Sequence, residues 1–145
     1  MKHMPQVIAM MTPFPYSIDL DQTAAEARAM MDTRGFRHLP VTSAGKICGI
    51  LSDRDLRTAL GGGTAPPSAT LLRVRDVYRD EPYVVEADAP LDQVAATMAD
   101  RHIGSAVVTK DGKLVGVFTT TDACRALARV LRERFPPPAP GTHAA

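Results

Sequence analysis

Two four-residue stretches carry side chains with chemistry to offer. Ser52-Asp53-Arg54-Asp55 and Thr119-Thr120-Thr121-Asp122 each set a hydroxyl three positions before a carboxylate. At a helix start this is a capping arrangement, in which the hydroxyl accepts from a backbone N–H and the carboxylate returns the bond. Losing such a cap costs ~1 kcal/mol, so helix stability alone accounts for the residue types. The same pair has a second use. A hydroxyl can donate to a phosphate oxygen, and a carboxylate, an acceptor only, suits the vicinal hydroxyls of a ribose. A helix opening adds N–H groups and the positive end of the helix dipole, which favour an anion. An acid on the sugar beside a helix start on the phosphate is the logic of nucleotide sites in general. No glycine-rich phosphate loop accompanies the motif, so a phosphate depends on the cap and on Arg54 or Arg37.

The two stretches are copies of each other. Gly49-Ile50-Leu51-Ser52-Asp53-Arg54-Asp55 returns as Gly116-Val117-Phe118-Thr119-Thr120-Thr121-Asp122, an offset of 67 (116 − 49). The offset runs without a gap over residues 7–60 and 74–127, and fifteen of these 54 positions are identical. Average composition gives roughly one match in fifteen. Such internal repetition implies a pseudo-symmetric pair, with any site of one copy present twice. The pattern divides the chain into repeat 1 at 1–60, a Gly/Pro linker at 61–70, repeat 2 at 71–134 and a disordered Pro-rich tail at 135–145.

Each copy must position its motif with the same elements. A short extended piece (Pro15-Tyr16-Ser17-Ile18, Pro82-Tyr83-Val84-Val85) opens it, and an acidic turn at Asp21 or Asp88 follows. Leu91, Val94, Ala95 and Met98 then fall on one helical face, as Ala24, Ala27, Met30 and Met31 do in the first copy. Gly35 and Gly104 break the helical pattern. Two β-rich runs around Ser43-Ala44-Gly45 and Lys110-Asp111-Gly112 read as hairpins, whose return strands enter a helix opened by Ser52 or Thr119. The class is α+β: two β-α-β-β-α repeats packed sheet to sheet as one unit. A helical turn is expected near Leu72–Tyr78, and a longer last helix reaches about Arg134.

Composition narrows the function. The 145 residues are 45% hydrophobic and 23% charged, with a formal charge of +1. Each half is too small to bury enough surface alone. The charge balance argues for neither nucleic acid nor an anionic membrane, and only the arginines of the last helix (Arg125, Arg129, Arg132, Arg134) speak for nucleic acid. No apolar run approaches a spanning helix, and the opening residues lack a signal-peptide core. Cytoplasmic residence is the expectation. Cys48 and Cys124 have no repeat partners, and the four histidines are scattered, so no metal site is expected. No nucleophile–base pair or P-loop stands out, which makes an enzyme the least expected reading.

The order of pieces resembles a tandem pair of cystathionine-β-synthase (CBS) domains, the Bateman module. Val7-Ile8-Ala9-Met10-Met11-Thr12-Pro13, Arg37-His38-Leu39-Pro40-Val41 and the Gly-x-h-Ser/Thr-x-x-Asp motif carry the resemblance, which spans Val7 to about Leu131. It implies two clefts that bind AMP, ADP or ATP, or in second place S-adenosylmethionine or NAD. It also implies a homodimer paired through helices, with no required cofactor. By resemblance, Ile18, Arg37, His38, Leu39, Pro40, Ser52, Arg54 and Asp55 form site 1. Val85, Gly104, Ser105, Ala106, Thr119, Thr121 and Asp122 form site 2. The aspartates would hold ribose, Ser52 and Thr119 would touch phosphate, and Arg54 would neutralise it. The backbone around Ile18 and His38-Leu39-Pro40, or around Val85 and Ser105-Ala106, would flank adenine.

Two departures make the sites unequal. Thr121 stands where repeat 1 has Arg54, and Gly104 stands where it has Arg37. On this reading the sites are inequivalent: site 1 favours phosphate charge, and site 2 is either weaker or tuned to a less charged adenosyl ligand. The expected function is a non-catalytic sensor of adenosine-type ligands that switches dimer or partner contacts, acting in trans on a protein the sequence does not name. The alternative is a structural or interaction module whose motifs are helix caps.

Overall fold

The computed structural model describes residues 3–13, 16–61 and 72–138. Most of the expected linker and the tail from residue 139 lie outside the described residues. After a 3-10 turn at Val7–Ala9, the elements of the first half are β1 (Thr12–Pro13), β2 (Ile18–Asp19), α1 (Ala24–Arg34), β3 (His38–Ser43), β4 (Lys46–Ser52) and α2 (Asp53–Leu60). The second half repeats them. A 3-10 turn at Val74–Asp76 leads to β5 (Arg79–Asp80), β6 (Val84–Glu86), α3 (Leu91–Arg101), β7 (Ser105–Lys110), β8 (Lys113–Thr119) and α4 (Thr120–Arg134). The β-α-β-β-α order read from the sequence is present twice, and a two-residue strand precedes each copy.

Those leading strands change sides. One sheet has the order β2-β3-β4-β5 and the other β1-β8-β7-β6. Thr12 and Pro13 pair with Val117 and Gly116, while Arg79 and Asp80 pair with Ile50 and Gly49. The side chains follow the strands. Val7 is buried in the core of the second half and Val74 in that of the first. Glycine permits the crossing at the two motif strands. A Cβ on Gly49 would lie 2.3 Å from the Tyr78 ring and 2.4 Å from the Arg79 carbonyl oxygen. One on Gly116 would lie 2.6 Å from both the Met11 sulfur and the Thr12 carbonyl oxygen. The repeated glycine is there because the other half's leading strand lies against it.

Each core sits between a sheet and its helices. Ala24, Ala27 and Met31 of α1 and Leu56 and Leu60 of α2 close on Leu39, Val41 and Leu51. Leu91, Val94 and Met98 of α3 and Ala126 of α4 close on Ala106, Val108 and Phe118. Pro40 and Val107, which point to the opposite face of their strands, are buried as well. The central strands are thus covered on both faces, by helices on one and by the facing sheet on the other. Val117 of β8 contributes to the first core directly.

Local signals set the boundaries. Thr23 caps α1 by accepting from the Glu26 N–H, and Gly35 ends it at φ 72°. α3 ends instead at His102, with φ 54°, the residue one offset on from Gly35. Gly104, expected to break the helix, lies past its end. Both hairpins place two residues at positive φ, Ala44 and Gly45 in one and Asp111 and Gly112 in the other. This is the turn that matches the twist of paired strands.

Candidate functional site

The helix openings differ in how they hold their aspartate. In α4 the capping box is complete. The Thr119 hydroxyl accepts from the Asp122 N–H at 3.3 Å, and the Thr119 N–H donates to Asp122 Oδ2 at 2.9 Å. Thr12, from β1, donates its hydroxyl to Oδ1 at 2.8 Å. Asp122 is only 4% exposed. In α2 the Ser52 hydroxyl accepts from the Asp55 N–H at 3.0 Å, but the carboxylate turns elsewhere. Arg79, from β5, donates to both of its oxygens, Nε to Oδ2 at 2.9 Å and Nη2 to Oδ1 at 3.2 Å. Thr12 and Arg79 are one offset apart, so the same seat holds a hydroxyl in one half and a guanidinium in the other.

Two of the first-turn amides counted on for an anion are already bonded. The Thr120 N–H donates to the Gly104 carbonyl and the Asp53 N–H to that of Arg37. Asp53 itself belongs to an ion cluster, with Arg28 at 2.7 Å and Arg57 at 3.0 Å. Burial works against its charge, but the bonds from Arg28 and Arg57 hold its carboxyl below the usual range.

Two clefts result, and each joins one half's motif to the other half's helix–strand junction. The larger, about 590 Å³, places Thr119, Thr120, Thr121, Asp122 and Arg125 opposite Arg34 to His38, with Thr12 and Gly104 between. The smaller, about 400 Å³, places Ser52, Arg54 and Asp55 opposite Arg101 to Ser105, with Arg79 to Tyr83 along its rim. Both fall in the ~300–1,000 Å³ range of small-molecule sites. His38 and Gly104 line both clefts. Gly104 leaves the space between them: a Cβ there would lie 3.7 Å from His38 Nε2. Burial pushes the His38 imidazole below its ordinary value, against the pull of Asp53 and Asp55.

This geometry revises the grouping read from the sequence. Arg37 lies in the cleft of Asp122, not beside Asp55, and Ser105 lies in the cleft of Asp55. The charge balance follows. The Asp122 cleft gathers Arg34, Arg37 and Arg125 against one acid. The Asp55 cleft sets Arg54, Arg79 and Arg101 against Asp55, Asp80 and Glu81. The cleft expected to lack cations is the more positive one. Ser52, Arg54 and Asp55 stay together, as do Thr119, Thr121 and Asp122. Ile18, Leu39, Val85 and Ala106 are buried in the two cores, Pro40 is buried between the sheets, and none of the five lines a cleft.

The model of the CBS domain family matches residues 7–62 and again 74–129. The chain belongs to the CBS domain family. A CBS domain-containing protein of Dictyostelium discoideum is 30% identical over 131 residues, covering 84% of this chain and 90% of that one. The CBS domain pair of protein MJ0100, solved with 5-methylthioadenosine and S-adenosyl-L-methionine, superposes with a TM-score of 0.75 at 22% identity over 88% of this chain and 99% of that one. CBSX2, solved with AMP, superposes with a TM-score of 0.71 at 22% identity over 88% of this chain and 98% of that one.

Within this CBS pair, the repeat pattern itself points to cleft residues that motif reading passes over. Arg34 and Arg101 are identical across the offset, and each guanidinium lies over the tyrosine of its own repeat. The distances to the ring centres are 4.1 Å for Tyr16 and 5.3 Å for Tyr83. Thr12 and Arg79 could be found only from the exchange of leading strands, which no local pattern announces. Among the described residues, no cluster of three or more His, Cys, Asp or Glu could hold a metal ion. No described helix is long and apolar enough to cross a membrane.

Proposed function

We propose that this CBS pair is a non-catalytic regulatory module that senses adenosine-type ligands, AMP, ADP, ATP or a relative, in its two clefts. The carrying observation is the composition of the Asp122 cleft. Three arginines from both halves converge there beside hydroxyls of Thr12, Thr119 and Thr121. Arg37 makes no ion pair among the described residues and Arg125 stands 3.7 Å from Asp122, so both can turn to a phosphate. The AMP and S-adenosylmethionine complexes of similar folds support the adenosine class. S-adenosylmethionine comes second, since a cationic sulfonium suits this cleft poorly, and NAD is ranked with it on the resemblance alone.

The response proposed is a change in pairing with a second copy or with a protein target. Leu127, Val130 and Leu131 of α4 and the following Phe135 are exposed, which supports helix-mediated pairing. A ligand shifts such an equilibrium only by its differential affinity for the two states. One observation favours the alternative of a purely structural module: the Asp122 carboxylate is already committed to its own cap and to Thr12.

Thermal shift and calorimetry with AMP, ADP, ATP, NAD and S-adenosylmethionine separate the two readings. With ligand at ~100 times its dissociation constant, wild-type protein gains about 2.7 kcal/mol, and Arg37→Ala lowers affinity for the phosphorylated ligands. Flat calorimetry across the panel leaves the structural reading.

A further inference from the structure

We propose that the Arg79–Asp55 ion pair is a latch on the smaller cleft, which yields its carboxylate to a ligand's hydroxyls only when the same ligand brings an anionic group for Arg79. The inference rests on the nucleotide reading above and adds how one of the two clefts is controlled.

The pair covers what a sugar would need. Both Asp55 oxygens accept from Arg79, so a neutral diol must break a bidentate contact to reach them. The guanidinium is the part free to leave. Its side chain is 72% exposed, against 19% for Asp55. Its backbone is fixed, because β5 is paired to Gly49 and Ile50 at the sheet edge. Release is therefore a swing of one side chain about a fixed strand. Two of the five guanidinium N–H groups serve Asp55, and the others are available to an incoming anion. Arg54 and Arg101 line the same cleft and give that anion two further cations. Asp80 and Glu81 oppose it, so the cleft has little attraction for an anion unless Arg79 contributes.

The other half shows what the latch replaces. Thr12, in the equivalent seat, contacts a single oxygen of Asp122 and carries no charge for a phosphate to attract. Arg79 ties release of the smaller cleft's carboxylate to a ligand's charge, which Thr12 does not do in the larger. An exposed ion pair is weak, so a phosphate displaces it readily, while an uncharged nucleoside has nothing to offer in exchange.

Calorimetry with AMP and adenosine on wild type, Arg79→Ala and Arg79→Lys tests this. Arg79 sits on an exposed edge, so both variants keep the fold. Adenosine is expected to bind Arg79→Ala about threefold to fivefold more tightly than wild type, and AMP about tenfold more weakly. Arg79→Lys retains the preference for AMP. In wild type, the NMR signal of the Arg79 Nε–H shifts with AMP and stays put with adenosine. An unchanged AMP-to-adenosine ratio in Arg79→Ala, or an Nε–H signal indifferent to AMP that binds, overturns the latch alone. Silence of all three proteins toward both ligands overturns the nucleotide reading and the latch with it.

Discussion

Thr12 and Arg79 occupy the same seat in the two halves, and each grips the motif aspartate of the half it does not belong to. One seat is neutral and seals a buried carboxylate. The other is charged and partners a carboxylate near solvent. The two aspartates, identical in the repeat alignment, therefore do different work.

Asp122→Ala and Asp55→Ala should differ accordingly in stability. Removing Asp122 takes away a capping box and leaves the half-buried Thr12 hydroxyl and the Thr119 N–H without their acceptor. The expected cost is about 2–3 kcal/mol. Removing Asp55 breaks an ion pair that is largely exposed on the arginine side, which costs less than about 1 kcal/mol. Urea unfolding of both variants gives the comparison, and equal midpoints would contradict it.

Gly116→Ala tests the crossing of the leading strand. The new methyl group would meet the Thr12 carbonyl, a backbone atom that cannot step aside without moving β1. A loss of about 1–3 kcal/mol is expected, with loss of protection from hydrogen exchange in residues 7–13. Gly104→Ala is the control: its methyl would make ordinary contacts, and stability should hardly change.

His38 gives the fold a pH dependence with a definite sign. Burial lowers its folded value below the ordinary 6.5. Asp53, Asp55 and Asp122 pull the other way, while the positive charge of Arg37 adds to the lowering. The unfolded chain thus binds the proton first as pH falls. The contribution of His38 is complete above the unfolded value and is lost as pH drops through it toward the folded one. His38→Gln should flatten the urea midpoint between about pH 7.5 and about pH 5.5 relative to wild type. Parallel curves for the two proteins would remove His38 from the account.

The first hairpin carries an alanine where the second carries Asp111. Ala44 sits at φ 51° and Asp111 at φ 52°. Alanine tolerates that conformation poorly, while Asn and Asp visit it readily. Ala44→Asn should raise the melting temperature by about 2–3 °C, read by calorimetry.

What could be read in advance follows from what is local. Apolar spacing in Leu91, Val94 and Met98, the turn chemistry of Asp111-Gly112 and the offset of 67 are all short-range or additive signals, and they define the elements and their repetition. The seating of Thr12 on Asp122 is neither, because it depends on a strand exchange between halves. Arg37, which the resemblance groups with Asp55, lines the Asp122 cleft, because each cleft borrows across the pair. Leu39 and Ala106 turn their side chains into the cores, which leaves their backbone as the part that could flank an adenine, as the resemblance implies.

The traded edge strands also bear on how the molecule is made. Thr12 pairs with Val117, 105 residues further along the chain (117 − 12). β1 stays unpaired until β8 has been made, and a fragment ending at Gly61 would lack both the β5 edge and the Val74 plug of its own core. Folding of this protein thus closes over long sequence separations, which slows it, and each half expressed alone is expected to be less stable than in the pair.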